Sequence, residues 1–285
     1  MRLVSFTRLG RTGFGAVTES GIIDLTGRIG PRIRSIRSLL LADRLDDAAR
    51  YIAGRSGEVE ASDVAFMPVI PDSGKIICVG LNYVDHRIET SHPDVKYPTL
   101  FTRFPDSHVG HLQPLIKPRD SNAFDYEGEL AVIIGRGGRS IAESDAFDHV
   151  AGYAGYNDGS IRDWQGHTSQ FTPGKNFSAT GSFGPWLLTA DEVEDYRTLP
   201  IETRLNGEVM QKATLDDLIF PVPRLISYIS RFTPLAAGDV IVTGTPGGVG
   251  LHRNPRVFMQ PGDRLEVDIG PVGTLINPVV SESGS

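Results

Sequence analysis

Cysteine is nearly absent from this chain. Among 285 residues only Cys78 carries a thiol, so no intrachain disulfide can form, and its setting in Lys75-Ile76-Ile77-Cys78-Val79-Gly80 reads as core, not nucleophile. Long hydrophobic runs are missing as well: nowhere do 18 apolar residues follow one another, which excludes a membrane-spanning helix. The opening Met1-Arg2-Leu3-Val4-Ser5-Phe6-Thr7 has no apolar signal-peptide core, and a cytoplasmic protein is expected. Positive charge is scarce, with 28 Lys and Arg against 35 Asp and Glu and a formal net charge of −7. No run of five basic residues occurs, so nucleic acid is not an expected partner. An anionic small molecule would have to be drawn in locally, by a metal ion or by a few placed cations.

With 40% hydrophobic and 22% charged residues, the composition is that of a folded globular chain. Short apolar stretches closed by Gly or Pro dominate. Leu3 to Thr7, Gly13 to Val17 and Ile22 to Leu25 read as a β-meander, and Ser35 to Ile52 reads as one or two helices. Pro68 and Pro71-Asp72-Ser73-Gly74 mark a boundary near residue 70, giving a small N-terminal α+β domain (1–70) and a main domain (71–285). Strands are expected at Glu129 to Ile134, Trp186 to Thr189, Ile201 to Leu205, Val240 to Thr243, Arg264 to Ile269 and Thr274 to Asn277. The best helix candidate is Leu215 to Phe232. Strand and helix do not alternate strictly, so the fold class is α+β, a β-rich mixed sandwich or roll with an N-terminal cap, and not a doubly wound parallel sheet.

The chemistry begins at Asp125-Tyr126-Glu127-Gly128-Glu129-Leu130. A strand puts residues two apart on one face, so Glu127 and Glu129 point together, and two like charges side by side call for a proton or a cation between them. Asp158, in the turn-like Asn157-Asp158-Gly159, offers a third carboxylate. Three oxygen ligands suit Mg²⁺ or Mn²⁺, with Ca²⁺ an alternative in a crystal, while zinc lacks a His/Cys set and His108-Val109-Gly110-His111 reads as loop. His86 and Glu89, three apart, meet on one face if their segment is helical, and the carboxylate would then orient the imidazole as a base.

Around these residues stand Gly80-Leu81-Asn82-Tyr83, Asn157-Asp158-Gly159-Ser160-Ile161-Arg162-Asp163-Trp164-Gln165, Gly174-Lys175-Asn176-Phe177, Gly184-Pro185-Trp186 and Thr243-Gly244-Thr245-Pro246-Gly247-Gly248-Val249-Gly250. In that order the set closely resembles the catalytic domain of the fumarylacetoacetate hydrolase superfamily, over roughly residues 75–280, near its acylpyruvate hydrolase and 2-hydroxyhepta-2,4-diene-1,7-dioate isomerase-like branch. The resemblance implies Glu127, Glu129 and Asp158 as Mg²⁺ or Mn²⁺ ligands, a lid carrying His86 and Glu89, and a homodimer. It implies a small 2-oxo or 2,4-dioxo acid as substrate, held through its 1-carboxylate and 2-oxo group, with His86 activating a water for carbon–carbon cleavage to pyruvate and a carboxylic acid. Lys175 is expected near the attacked carbonyl. Arg103, Arg162 and Gln165, with Gly244 and Thr245 of the Gly-rich loop, are expected to bind substrate, although Arg162 has a structural alternative as partner of Asp163. Fumarylpyruvate or maleylpyruvate fits the spare cations, and aromatic-compound catabolism is the expected setting. Decarboxylation of oxaloacetate-like acids or isomerisation of unsaturated 2-oxo dioic acids would use the same site, and a catalytically silent binding module is the reading from another class. Two departures from the family pattern concern the pocket: Gly159 stands where valine commonly follows the aspartate, and Ser178 where an aspartate often follows Lys-x-Phe.

Overall fold

The computed structural model describes residues 1–89 and 96–283. Its backbone is one mixed sheet of 11 strands, a second sheet of five and a two-stranded ribbon, with few helices and no closed barrel. Along the large sheet the order runs Gly21–Asp24, Arg11–Thr18, Arg2–Arg8, Gly181–Thr189, Val150–Asn157, Gly128–Ile134, Val240–Val242, Ile76–Gly80 and Thr99–Thr102. Most neighbours are antiparallel, but Val240–Val242 lies parallel to Ile76–Gly80. Because Arg2–Arg8 pairs with Gly181–Thr189, this sheet runs across the boundary drawn near residue 70.

The sheet is buried on both sides: its central strands Gly128–Ile134 and Val150–Asn157 are buried at every position and apolar at most of them. Along Gly128–Ile134, Leu130, Val132 and Ile134 face one core. There they meet the five-stranded sheet through Ile201, Val267 and Leu275, and the helix Val222–Phe232 through Leu225, Ile226 and Ile229. Ala131 and Ile133 face a second core, closed by the helices Ile36–Leu41 and Leu45–Ile52 through Ile36, Leu39, Leu40 and Ala48. By the same alternation Glu127 and Glu129 continue the Ala131 and Ile133 face beyond the end of this second core.

The helix expected over Leu215 to Phe232 starts only at Val222. Pro221 and Pro223 lack the N–H groups an earlier turn would need, and Leu215–Asp217 forms a separate 3₁₀ turn. His108-Val109, read from sequence as loop, is a short strand parallel to Gly181–Thr189.

Asn82 pins the parts that frame the site. Its buried side-chain amide donates to the carbonyls of Phe220 (3.1 Å) and Thr243 (2.7 Å), and its Oδ1 accepts from Phe220 N at 2.7 Å. The end of Ile76–Gly80, the segment before Val222 and the root of the Gly-rich loop are thus tied at one residue. Asn82→Ala orphans three buried backbone groups and should lower unfolding free energy by about 3 kcal/mol, read as a shift of the urea midpoint at constant slope; a loss below about 0.5 kcal/mol would contradict this role.

Candidate metal and substrate site

Glu129 lies in the strand Gly128–Ile134, Glu127 just before it, and Asp158 just after Val150–Asn157, the strand paired to it. Glu127, Glu129 and Asp158 are 5%, 2% and 0% exposed, and one oxygen from each lies within 4.8 Å of the other two. This is the only such group of three among the described residues. Burial pushes the Glu129 carboxyl well above its ordinary range, and the negative charges of Asp158 and Glu127 push it further. One backbone donor, Gly244 N at 2.5 Å, faces it. Glu127 is shifted the other way: burial opposes ionisation, but Lys175 and Arg162 outweigh it. A buried, all-oxygen donor set with more negative charge than its surroundings balance is what a hard divalent cation requires, and the residues fit Mg²⁺ or Mn²⁺.

Cations clamp the cluster from three sides. Lys175, at the end of the short helix Thr172–Lys175, donates to Glu127 Oε2 (2.7 Å) and Asp158 Oδ2 (2.6 Å). Burial alone would lower its pKa, yet Asp158 and Glu127 raise it, so it stays charged. Arg162 opens the helix Arg162–Gln165 and reaches Glu127 Oε1 at 2.7 Å through Nη1 and Asp125 Oδ2 at 2.8 Å through Nε. Its partners are therefore Asp125 and Glu127; Asp163, the alternative from sequence, instead accepts from Ser121. The remaining Arg162 nitrogen, Nη2, is buried without a hydrogen-bond partner.

Arg103 differs from expectation. Its guanidinium is 2% exposed and fully engaged, donating to Asp158 Oδ1 (2.6 Å), Gly159 O (2.9 Å), Thr180 Oγ1 (3.1 Å) and Ser107 Oγ (3.3 Å). It is not among the residues lining the cavity that opens over the cluster, and its place is against Asp158. The glycine after Asp158 has a local cause: a Cβ on Gly159 would lie 2.0 Å from Thr180 O, so no valine fits this backbone.

A cavity of about 330 Å³ opens over the cluster, walled by His86, Glu127, Glu129, Arg162, Gln165, Lys175, Thr245 and His252, with Val79, Phe101, Phe171, Val249 and Leu251 as its apolar side. His86 is buried on the helix Val84–Glu89, its Nδ1 3.3 Å from Glu89 Oε2. Burial works against the Glu89 charge, but bonds from His86 and Gly248 N bring its pKa below the ordinary value. Gln165 accepts from Arg162 Nη1 at 2.9 Å, and Thr245 Oγ1 donates to Gly128 O. Gly244 contributes its N–H to Glu129 and does not line the cavity.

Two contributors carry no sequence signal of their own. Asp125 accepts from Arg162 Nε, Gly250 N and Leu251 N, tying the arginine to the Gly-rich loop. Gln211 accepts from Gly128 N and donates to Thr245 Oγ1 and Pro246 O. Asp125 stands inside the acidic motif, whereas Gln211 lies far away in sequence on an otherwise ordinary strand.

Residues 75–280 match the sequence pattern described as fumarylacetoacetate (FAA) hydrolase C-terminal. The chain is 41% identical over 236 residues to the oxaloacetate tautomerase fahd2, mitochondrial, of Xenopus laevis, spanning 82% of this chain and 72% of that one. It is 42% identical over 216 residues to the oxaloacetate tautomerase YisK of Bacillus subtilis (strain 168), spanning 74% and 71%. Among solved structures, the maleylpyruvate hydrolase of Sphingobium sp. SYK-6, in complex with manganese(II) ion and pyruvate, superposes with a TM-score of 0.83 at 28% identity, covering 99% of this chain and 100% of that one.

Because Glu129 is destabilised by its neighbours' charge, Glu129→Gln should raise the melting temperature of chelator-treated protein by about 2–4 °C. Added Mn²⁺ should raise the wild-type melting temperature and leave the variant's unchanged. A variant less stable than chelated wild type, or one still stabilised by Mn²⁺, would contradict the cation-site assignment.

Proposed function

This chain belongs to the fumarylacetoacetate hydrolase family, a family of enzymes, and we propose that its cavity takes a small 2-oxo dicarboxylic acid of the oxaloacetate type and interconverts its enol and keto forms. Support comes first from the two oxaloacetate tautomerases that share 41% and 42% of their aligned residues with it. The structural observation that carries the reading is an oriented base that shares a small cavity with a charged clamp. His86, fixed by Glu89, lines the same cavity as Lys175, Arg162, Glu127 and Glu129, and Asp158 converges with the two glutamates.

In this reading a substrate carboxylate pairs with Arg162, whose side chain lines the cavity. With His86 Nδ1 turned to Glu89, Nε2 exchanges the proton at carbon 3: in enolisation it takes that proton, the C–H pair becomes the C2=C3 bond, and the 2-oxo oxygen gains the charge. The imidazolium returns that proton to the oxygen, directly or through a water, which completes the enol and restores neutral His86; ketonisation runs the steps in reverse. Lys175, held as a cation, faces the developing negative charge. The apolar wall of Val79, Phe101, Phe171 and Leu251 limits water around it. Glu127, Glu129 and Asp158 would hold Mg²⁺ or Mn²⁺, which when bound supplies Lewis acidity to the substrate oxygens.

Acylpyruvate hydrolysis, the leading expectation from sequence, stands as the second reading. The same His86 and Glu89 pair can activate water, and the maleylpyruvate hydrolase neighbour favours it. A cytoplasmic location, expected from the sequence, and a homodimer and a role in aromatic-compound catabolism, expected from resemblance, remain proposals. No helix among the described residues is long and apolar enough to cross a membrane.

The assay follows loss of the enol absorbance of oxaloacetate with Mn²⁺, with pyruvate measured in parallel and acetylpyruvate and maleylpyruvate run beside it. We expect enol loss without pyruvate release, and a fall in kcat of about 10²–10⁴ in His86→Ala. Rapid pyruvate release from the acylpyruvates, with oxaloacetate tautomerisation no faster than buffer, would replace this reading with the hydrolase.

A further inference from the structure

Behind the carboxylate cluster runs a chain of buried polar groups that no step above uses. Arg103 holds Asp158, and its Nε reaches Ser107 Oγ; Ser107 Oγ lies 3.3 Å from His108 Nδ1, and His108 Nε2 is hydrogen-bonded to the Tyr156 hydroxyl. None of these side chains has more than the 8% exposure of His108.

Strand geometry gives the chain its meaning. Tyr156 lies two residues before Asp158 and directly opposite Glu129 in the ladder, so Tyr156 on the Val150–Asn157 strand, and Asp158 just past its end, leave by the face that carries the glutamates. Both then end on one short segment, 103–108: Asp158 on Arg103, Tyr156 on His108. Gly181, paired with His108 in the parallel ladder, leaves the space they need, since a Cβ there would lie 2.8 Å from both Arg103 Nη2 and His108 Cδ2.

We propose that His108 and Tyr156 are positioning residues for the cation site, the second point of a two-point clamp that fixes the direction of the Asp158 carboxylate. The backbone of 103–108 is already held by its ladder to Gly181–Thr189 and by Phe104 N–H donating to Asn176 Oδ1. The His108–Tyr156 bond adds a side-chain attachment beside the Arg103–Asp158 pair, on the face of the aspartate, and so limits the swing of the carboxylate left to the side chains. The proton positions agree. Ser107 Oγ spends its hydrogen on Phe104 O at 2.7 Å, so it receives bonds from Arg103 Nε and His108 Nδ1–H. Nε2 is then the acceptor of the Tyr156 O–H. Burial, helped by the Arg103 charge, keeps His108 neutral by lowering its pKa well below the ordinary value, and burial keeps the Tyr156 phenol protonated.

This inference rests on reading Glu127, Glu129 and Asp158 as a cation site, not on the identity of the substrate. The test is Mn²⁺ affinity by isothermal titration calorimetry for wild type, Tyr156→Phe and His108→Gln, with Tyr153→Phe as the control on the opposite face of the same strand. Tyr156→Phe should raise the Mn²⁺ Kd about tenfold while kcat at saturating Mn²⁺ stays within about twofold. His108→Gln, which keeps one donor and one acceptor, should recover most of the affinity, and Tyr153→Phe should bind like wild type. If Tyr156→Phe does not fold, Ser107→Ala cuts the same chain and should weaken Mn²⁺ in the same sense. Unchanged Mn²⁺ affinity in Tyr156→Phe or Ser107→Ala, with only a lower melting temperature, would overturn the proposal alone. A wild type that binds no Mn²⁺ would overturn it together with the cation site.

Discussion

Three carboxylates buried within 4.8 Å of one another are the constraint around which the middle of this molecule is organised. With Asp125 they make four anions, and among the described residues the cations that touch them are three: Lys175, Arg103 and Arg162. In a dry interior an uncompensated charge costs several kcal/mol even after relaxation. The cost falls on Glu129, whose carboxyl is driven toward its protonated form. A divalent ion would relieve the imbalance where the three oxygens converge, so the destabilisation and the proposed function have one origin.

The fold supplies the rigidity that such an arrangement needs. Glu129 lies in, and Glu127 and Asp158 lie at the adjoining ends of, adjacent strands of a sheet covered on both faces, with Leu130 and Val132 in one core and Ala131 and Ile133 in the other. Carboxylates mounted there cannot move apart without opening the sheet. The groups assigned to substrate sit on shorter elements: Arg162 and Lys175 on helices of one turn, His86 on the helix Val84–Glu89. A stiff cluster faced by lighter elements suits a site that keeps its cation and admits small acids of differing length. That is consistent with tautomerases and a hydrolase occurring among its relatives.

Much of this was legible in the chain itself, for reasons that differ by residue. Glu127 and Glu129 announce themselves because strand periodicity is local, and His86 and Glu89 because helix periodicity is. Arg103 misled because sequence shows a cation but not the direction it faces; the paired strands turn it inward to Asp158. Gln211 and the His108 and Tyr156 pair were silent because their partners lie 34 and 48 residues away and meet only through sheet register. The late start of the helix at Val222 was readable in Pro221 and Pro223, whose effect outweighs the apolar periodicity on either side.

A crystal of the protein soaked in Mn²⁺ and measured for anomalous scattering tests the central claim most directly. The account predicts one strong peak per chain, within bonding distance of an oxygen from each of Glu127, Glu129 and Asp158. A peak elsewhere, or no peak, would contradict it and leave the buried carboxylates balanced by protons alone.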